Sequence, residues 1–559
     1  MSRELRVLVV GGYGVFGGRI VELLQNEPRL TLVVAGRTLR KAQAYCAARG
    51  NVAVELEAAR FDRNGDAAAQ IAALGLHIVV DASGPFQAYG EGRYRLVEAC
   101  IAQRVNYLDL ADGSDFVLGV GAFDAAAREA GIYVLSGVSS FPMLTAAVVR
   151  RLSRDMSRVE MITGGIAPSP FAIVGENVIR AIASYAGQPV AARGGAVKSI
   201  GHPFTEQRRF TIAPPGQIPL RSTMFSLVDV PDLRALPALW PDAKSVWLGA
   251  GPAPEILHRA LVVCAWLVRL GIVRSLSPLA PLMHLVTNRV RWGEHRGGMF
   301  VEVKGAGAGG APVERSWHLL AEGDDGPYIP SMAVQAILHR QLDEHAPAPG
   351  ARAGTRDLEV EDYERLFAKR AIFTGEREAL SGPLYQRLLG EAWRLLPEPI
   401  RAMHDGSGVI AAGTASVVRG RNPLASVAAW LMGFPAAGDN VPLSVDFSVR
   451  GAIENWRRTF AGKSFSSAQF AGAGRSDNLL CERFGPLVFA MALVVNCERL
   501  DLVLRRWSAF GAPLPLWLAP RSSSFETVEN GVFRFHVEIS HPWIGLIVRY
   551  VGILRRPSD

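Results

Sequence analysis

The chain has 559 residues, 49% hydrophobic and 20% charged, with 60 Lys and Arg against 52 Asp and Glu, a formal net charge of +8. That length exceeds one core and predicts two or three domains. So small a cationic excess, scattered without interleaved aromatics, argues against nucleic acid and leaves an anionic cofactor or an anionic membrane surface as partner. The five cysteines (Cys46, Cys100, Cys264, Cys481, Cys497) contain no CxxC pair, which argues against a disulfide framework or a metal site and predicts a cytoplasmic protein. The first residues read straight into a strand, so no secretory signal is expected.

Residues 6–10 (RVLVV) read as a buried strand, 11–18 (GGYGVFGG) as a glycine-rich turn and 19–25 as a helix. This is the strand–GxGxxG–helix context of a dinucleotide fold. Gly12 is expected to allow the tight turn. Gly14 leaves bare main chain for a pyrophosphate, and Gly17 lets the helix pack closely on the strand. Tyr13, Val15 and Phe16 complete the loop, whose free N–H groups and helix dipole suit phosphate. The next apolar run, 30–35, ends in Gly36-Arg37-Thr38. An NAD site carries Asp or Glu at this tip. Arg37 stands there instead, with Thr38 beside it and Arg40 and Lys41 following, and a guanidinium fork suits a 2′-phosphate. NADP(H) is therefore favoured over NAD(H). The plainer alternative is a solvated helix start.

Strands at 53–61, 77–81, 106–110 and 132–135 then alternate with helices at 39–49, 64–73, 91–102 and 116–130. Six strands and five helices over residues 1–150 predict a doubly wound parallel sheet, a Rossmann domain with its ligand beyond the carboxyl ends of the strands. Three loops sit at such ends. Asp62 is a partner for the adenine amino group or a helix cap. Ser83-Gly84-Pro85 is expected along the nicotinamide half, with a plain turn as the alternative. Asp109 is either structural or polar lining.

The alternation stops after residue 150. Strands near 159–166, 210–212, 246–248, 299–303 and 317–322, with helices at 175–186 and 331–343, predict an α+β substrate or dimerisation domain over 151–343 whose last helix packs back on the first domain. Residues 256–273 are apolar but carry His258, Arg259 and Arg269. They are too interrupted for a membrane span, and read as a buried helix or dimer face in preference to a peripheral membrane contact. Residues 344–371 begin Pro/Ala/Gly-rich and read as a linker. Residues 372–559 read as a C-terminal β-rich (α+β) domain. In it, 384–403 forms a helix broken at Pro397 and Pro399, Asn530-Gly531 marks a hairpin, and alternation at 445–450 and 533–539 predicts a curved sheet or partial barrel with a greasy interior.

Residues 1–150 resemble the NAD(P)-binding domain of the saccharopine-dehydrogenase-like reductases. The resemblance rests on VVGGYGVFGG (9–18), AGRT (35–38), VVDASGPF (79–86) with Gly90, and NYLDLADG (106–113). It weakens through 151–342. Residues 375–556 look like a domain of unknown function fused behind such reductases. The resemblance implies a Rossmann fold, a nicotinamide cofactor and hydride transfer. The family's turn after the sixth strand carries an Asp that 137–143 (GVSSFPM) lacks, which tilts the substrate away from a saccharopine-like amino acid towards something less polar.

No YxxxK acid pair, HExxH, GxSxG or metal-ligand cluster stands at a useful position. The remaining proton-donor candidates are His202, Tyr185 and Asp109, each with a structural role as the plainer alternative. The expectation is an NADP(H)-dependent oxidoreductase acting on a C=O, C=N or C=C group of a small or lipid-like substrate. The rival is a non-catalytic protein on a Rossmann scaffold that senses cofactor or carries an apolar ligand. A homodimer stays open.

Overall fold

The computed structural model describes residues 4–192, 199–379, 381–406 and 408–557. The chain divides into two compact units: Met1–Arg208 with Met224–Phe373, and Arg209–Thr223 with Thr374–Asp559. The expected boundary at residue 150 thus falls inside the first unit.

In the first unit, the strands β1 (Leu5–Val10), β2 (Leu30–Gly36), β3 (Glu55–Arg60), β4 (Ile78–Asp81), β5 (Asn106–Asp109) and β6 (Tyr133–Ser136) form a parallel sheet. They alternate with the helices α1 (Val15–Leu24), α2 (Leu39–Ala47), α3 (Ala67–Leu74), α4 (Arg95–Ala102), α5 (Ser114–Gly119) and α6 (Asp124–Ala130). The strand order is 3-2-1-4-5-6, followed by a seventh strand, Gly350–Ala353. β2 is buried along its whole length because helices cover both faces. Each of its Leu and Val side chains contributes about 1.5–3 kcal/mol by leaving water. The order reverses between β1 and β4, which opens the crevice where such sheets bind ligands.

The stretch 344–371, expected as a linker, is a correction. It supplies the seventh strand and a helix, Val360–Phe367. Gly350 looked like a linker residue, but it is glycine because a Cβ there would lie 2.4 Å from Asp124 Oδ1. That same carboxylate accepts from Ala351 N at 2.9 Å.

After α7 (Thr145–Leu152), β7 (Met156–Ala167) begins a second sheet. Its order is Gln207–Phe210, Thr223–Leu227, Ser245–Ala250, β7, Arg296–Gly307, Pro312–Glu322 and Ile372–Glu378. The helix Ile329–Leu342 does pack back on α1: Gln335 Nε2 donates to Leu23 O at 3.1 Å and Ser331 Oγ to Phe16 O at 3.4 Å. Of the two readings, buried helix or dimer face, the helix Glu255–Arg269 does not fit the first. It buries only His258, Ala265 and Val268 and exposes Ile256, Val263 and Trp266. Among the described residues no helix is long and apolar enough to cross a membrane.

The second unit is β-rich, as expected, but its sheet is complete and not a partial barrel. Ten antiparallel strands, from Ile410–Arg419 to Gly545–Arg555, form a ring that the pairing of Leu487–Asn496 with Arg499–Ala509 closes. Closure removes the free edges an open sheet would expose. Asn530 and Gly531 both take positive φ, as their hairpin requires. The helix expected over 384–403 is three short pieces, Leu384–Leu389, the 3-10 turn Gly390–Leu395 and Glu398–Met403. The first piece ends where Gly390 turns to φ +56°, and Pro397 precedes the last.

Candidate functional site: a glycine-loop crevice

The loop between β1 and α1 is built by close approach. A Cβ on Gly17 would stand 2.3 Å from Gly11 O, so only glycine lets the first turn of α1 sit on the loop. Gly12 is equally confined, 2.8 Å from Val9 O and 2.9 Å from Val34 Cγ1. The left-handed turn falls on Gly11, at φ +76°, and not on Gly12, whose role is packing against β2. Gly14 caps α1 with no side-chain hydrogen bond. The main-chain N–H groups of the first turn, at Val15, Phe16 and Gly17, are thus left for a ligand, with the positive end of the helix behind them. Tyr13 reaches across to the end of β2, where its hydroxyl accepts from Thr38 N at 3.5 Å and its ring fills the space a Cβ on Gly36 would need.

At that strand end Arg37, Thr38, Arg40 and Lys41 are all exposed and no carboxylate is among them. Asp62, after β3, folds back on its own loop: its Oδ1 accepts from Asn64 N at 3.1 Å, which is the local capping alternative.

The loops after β4 and β5 are braced by two buried aspartates. Asp81 Oδ1 accepts from Ser83 N at 3.0 Å and Ser83 Oγ at 2.5 Å, which holds Ser83-Gly84-Pro85 in place. Asp109 Oδ1 accepts from Ala111 N, Ser136 Oγ and Gly137 N at 2.8–2.9 Å. Burial pushes the Asp109 carboxyl up to about 7, against the pull of those donors. Burial raises Asp81 as well, and the two strand ends are direct neighbours. Asp109 therefore positions loops. Its neighbourhood contains residues that the sequence reading passed over: Arg63 stacks on the Tyr89 ring at 3.2 Å, and Tyr89 bonds Ser83 Oγ at 3.0 Å.

The N-terminus of the helix after β7 contributes the opposite wall. The helix α8 (Glu176–Tyr185) is tied to the Ser83–Pro85 loop by Asn177 Nδ2, which donates to Gly84 O at 2.8 Å. Gly175, its N-cap, sits 3.8 Å by its Cβ position from Val15 Cγ2 of the glycine loop. Neither residue carried a sequence signal, since each gains its meaning only by docking. Tyr185, at the far end of α8, stacks on Phe204 with centroids 6.4 Å apart. Burial, with the nearby Asp112 and Asp229, raises its phenol and keeps it protonated. His202 lies on the loop before Gln207–Phe210. Burial lowers its imidazole, and its main-chain carbonyl holds Thr205 Oγ1 at 2.9 Å. The structure thus brings Gly12–Gly17, Ser83–Pro85 and α8 around one crevice. Arg37, Thr38 and Asp62 stand at the ends of the neighbouring strands.

A crevice of this kind, bare main chain at a helix mouth beside a strand-order reversal, is the dinucleotide-binding arrangement of a Rossmann domain. Residues 7–135 match the family model described as saccharopine dehydrogenase NADP binding domain, and residues 396–554 match the model of a domain of unknown function, DUF4166. The resemblance read from the motifs is borne out at both ends of the chain. No curated protein sequence matches. Similar solved structures include saccharopine dehydrogenase (L-Glu forming) from Saccharomyces cerevisiae, 14% identical, covering 67% of this chain and 100% of that one with a TM-score of 0.48. Another is a myo-inositol dehydrogenase from Corynebacterium glutamicum, at 12% identity, 61% and 89% coverage and a TM-score of 0.32.

Proposed function

We propose that the protein is an NADP(H)-dependent oxidoreductase that transfers hydride to or from a C=O, C=N or C=C group of a small or lipid-like substrate. The observation that carries this reading is the Gly11–Gly17 cradle, in which a Cβ on Gly17 would collide with Gly11 O and the cap of α1 makes no side-chain bond. Such a loop fits a pyrophosphate. The nicotinamide, when bound, supplies or accepts the hydride. Gly12, Tyr13, Gly14, Val15, Phe16 and Gly17 hold the diphosphate, and Ser83, Gly84 and Pro85 line the nicotinamide half. Asp62 closes the adenine end. Arg37 and Thr38 receive the 2′-phosphate, and the absence of a carboxylate at that tip among residues 36–41 supports NADP(H) over NAD(H).

His202, Tyr185 and Asp109 remain the proton-donor candidates, and burial, by raising the Tyr185 phenol, makes it a weaker acid than a free tyrosine. Asp109 is engaged by three donors and serves as a brace. The test is a fluorescence titration of the full chain. NADPH binds more tightly than NADH, and Arg37→Ala removes the preference. Equal affinities in the unaltered protein would overturn the cofactor assignment.

A lipid-surface partner is supported by the exposed Ile256, Val263, Leu282 and Leu285, flanked by the exposed Arg259, Arg269 and Arg289. Flotation with anionic vesicles tests it. Ile256→Glu with Leu285→Glu lowers the floated fraction, and a protein that stays wholly in the lower fraction excludes the contact.

A further inference from the structure

The closed barrel of the second unit turns one side of every strand inward. A ring of this size either fills with side chains or holds a ligand. This one encloses a cavity of about 350 Å³, within the range of small-molecule sites. Protein interiors keep few voids larger than one water, so a space this large is not a packing remnant. Most of its wall is hydrocarbon, with Leu443, Val445, Leu502, Leu504, Phe535 and Val537 among the lining. It runs from Tyr385, on the helix at one end, to Pro520, His541 and Ile544 at the other. That second end also exposes Phe510, Trp517 and Trp543, the two tryptophan rings 6.3 Å apart, so the threshold is apolar too.

The charged groups in the wall are already matched, while the buried Trp456 Nε1 makes no hydrogen bond within the protein. Arg458 donates to Ser467 Oγ at 2.9 Å and to Glu482 Oε1 at 3.1 Å, and Ser467 Oγ donates to the same carboxylate at 2.6 Å. The guanidinium lies 5.0 Å from the Trp456 ring and 5.6 Å from the Phe465 ring. Glu526 pairs with His404 Nε2 at 2.6 Å, and Tyr385 donates to Gln469 Oε1 at 3.1 Å. One arginine thus faces two carboxylates. An anionic head group would enter a wall whose single arginine already has a counter-ion, and would meet Glu526 as well. Removing such a charge from water without a partner is prohibitive. An uncharged oxygen can still use Ser522, Ser524 and His536, which line the same space.

We propose that the barrel is a binding site for a neutral, mostly hydrocarbon molecule bearing an uncharged oxygen function, such as an ester, alcohol or ketone, and that it discriminates against the corresponding carboxylate. The site goes beyond the oxidoreductase reading and stands without it, because every residue invoked lies between Tyr385 and Tyr550.

The probes are cis-parinaric acid and its methyl ester, which share one hydrocarbon and differ in head-group charge, titrated by fluorescence into the full chain at pH 7.5. The ester binds saturably, one per chain, at least tenfold more tightly than the acid. Leu504→Trp fills the cavity and weakens ester binding at least tenfold, with NADPH binding and the thermal unfolding midpoint as checks of folding. Leu502→Phe is the milder second variant should the first not fold. Glu482→Gln frees Arg458 from its counter-ion and shifts the acid-to-ester preference at least fivefold towards the acid. Three results overturn the proposal: no saturable ester binding, an acid bound as tightly as the ester by the unaltered protein, or undiminished ester binding in a folded, cavity-filled variant.

Discussion

In the first unit the candidate site is main chain. The N–H groups at the mouth of α1 stand open above a loop too tight for a Cβ, and the cations Arg37, Arg40 and Lys41 are exposed at the next strand end. In the second unit the candidate site is side chain. Leucines, valines and phenylalanines enclose a cavity, and its arginine is spent on Glu482 and Ser467. The contrast teaches what each place can hold. Unmatched positive potential at an open helix mouth selects phosphate, whereas matched charge in a greasy enclosure rejects any ion.

The strongest way to break this comparison is Gly17→Val. Its Cβ falls 2.3 Å from Gly11 O, so the loop must open. NADPH affinity should fall by more than about 100-fold, while binding of the parinaric ester persists. Loss of both together would mean that the two sites are not separable. Next in size is Tyr185→Phe: with Tyr185 as the proton donor, kcat falls about 100-fold and the NADPH Kd is unchanged. An unaltered kcat removes Tyr185 from the reaction.

Arg37→Ala sharpens the electrostatic half of the contrast. It should cost about tenfold in NADPH affinity and little in NADH affinity, since one charge-assisted contact is lost. The difference should shrink with added salt, because Arg37 is exposed.

The smallest effect concerns Asp109. Its carboxyl is raised in the fold to about 7, above the ordinary value near 4. Between about pH 4 and pH 7 the unfolded chain gives up this proton and the native state keeps it, so the contribution of this group to stability falls as pH rises. Urea unfolding of the unaltered protein and of Asp109→Asn should differ by an amount that declines over that window and is flat above it. A difference independent of pH would show that Asp109 does not titrate there.

Much of the first site was legible because its causes are local. Gly11 through Gly17, the strand before them and the helix after them lie within about twenty residues, and glycine spacing there has few other uses. Arg37 was legible as an exposed cation at the tip of β2, where an NAD site carries an acid. Asp109 was ambiguous by sequence, since nothing near it names the Ser136 and Gly137 donors on another strand. The linker expected at 344–371 failed for a related reason: Gly350 is demanded by the distant Asp124, which composition cannot show. In the second unit, inward positions held by Arg458, Ser467 and Glu482 on otherwise apolar strand faces were the available signal for a buried polar cluster.

The sequence by itself determined the parallel sheet, the glycine cradle and its suitability for a dinucleotide, because strand periodicity and backbone crowding act between near neighbours. Tertiary structure alone decided that α8 closes the crevice through Asn177 and that the C-terminal strands shut into a ring. It also brought His404 to Glu526 across 122 positions of chain. Such pairings depend on which surfaces the folded elements bring together, and a linear pattern carries no record of that.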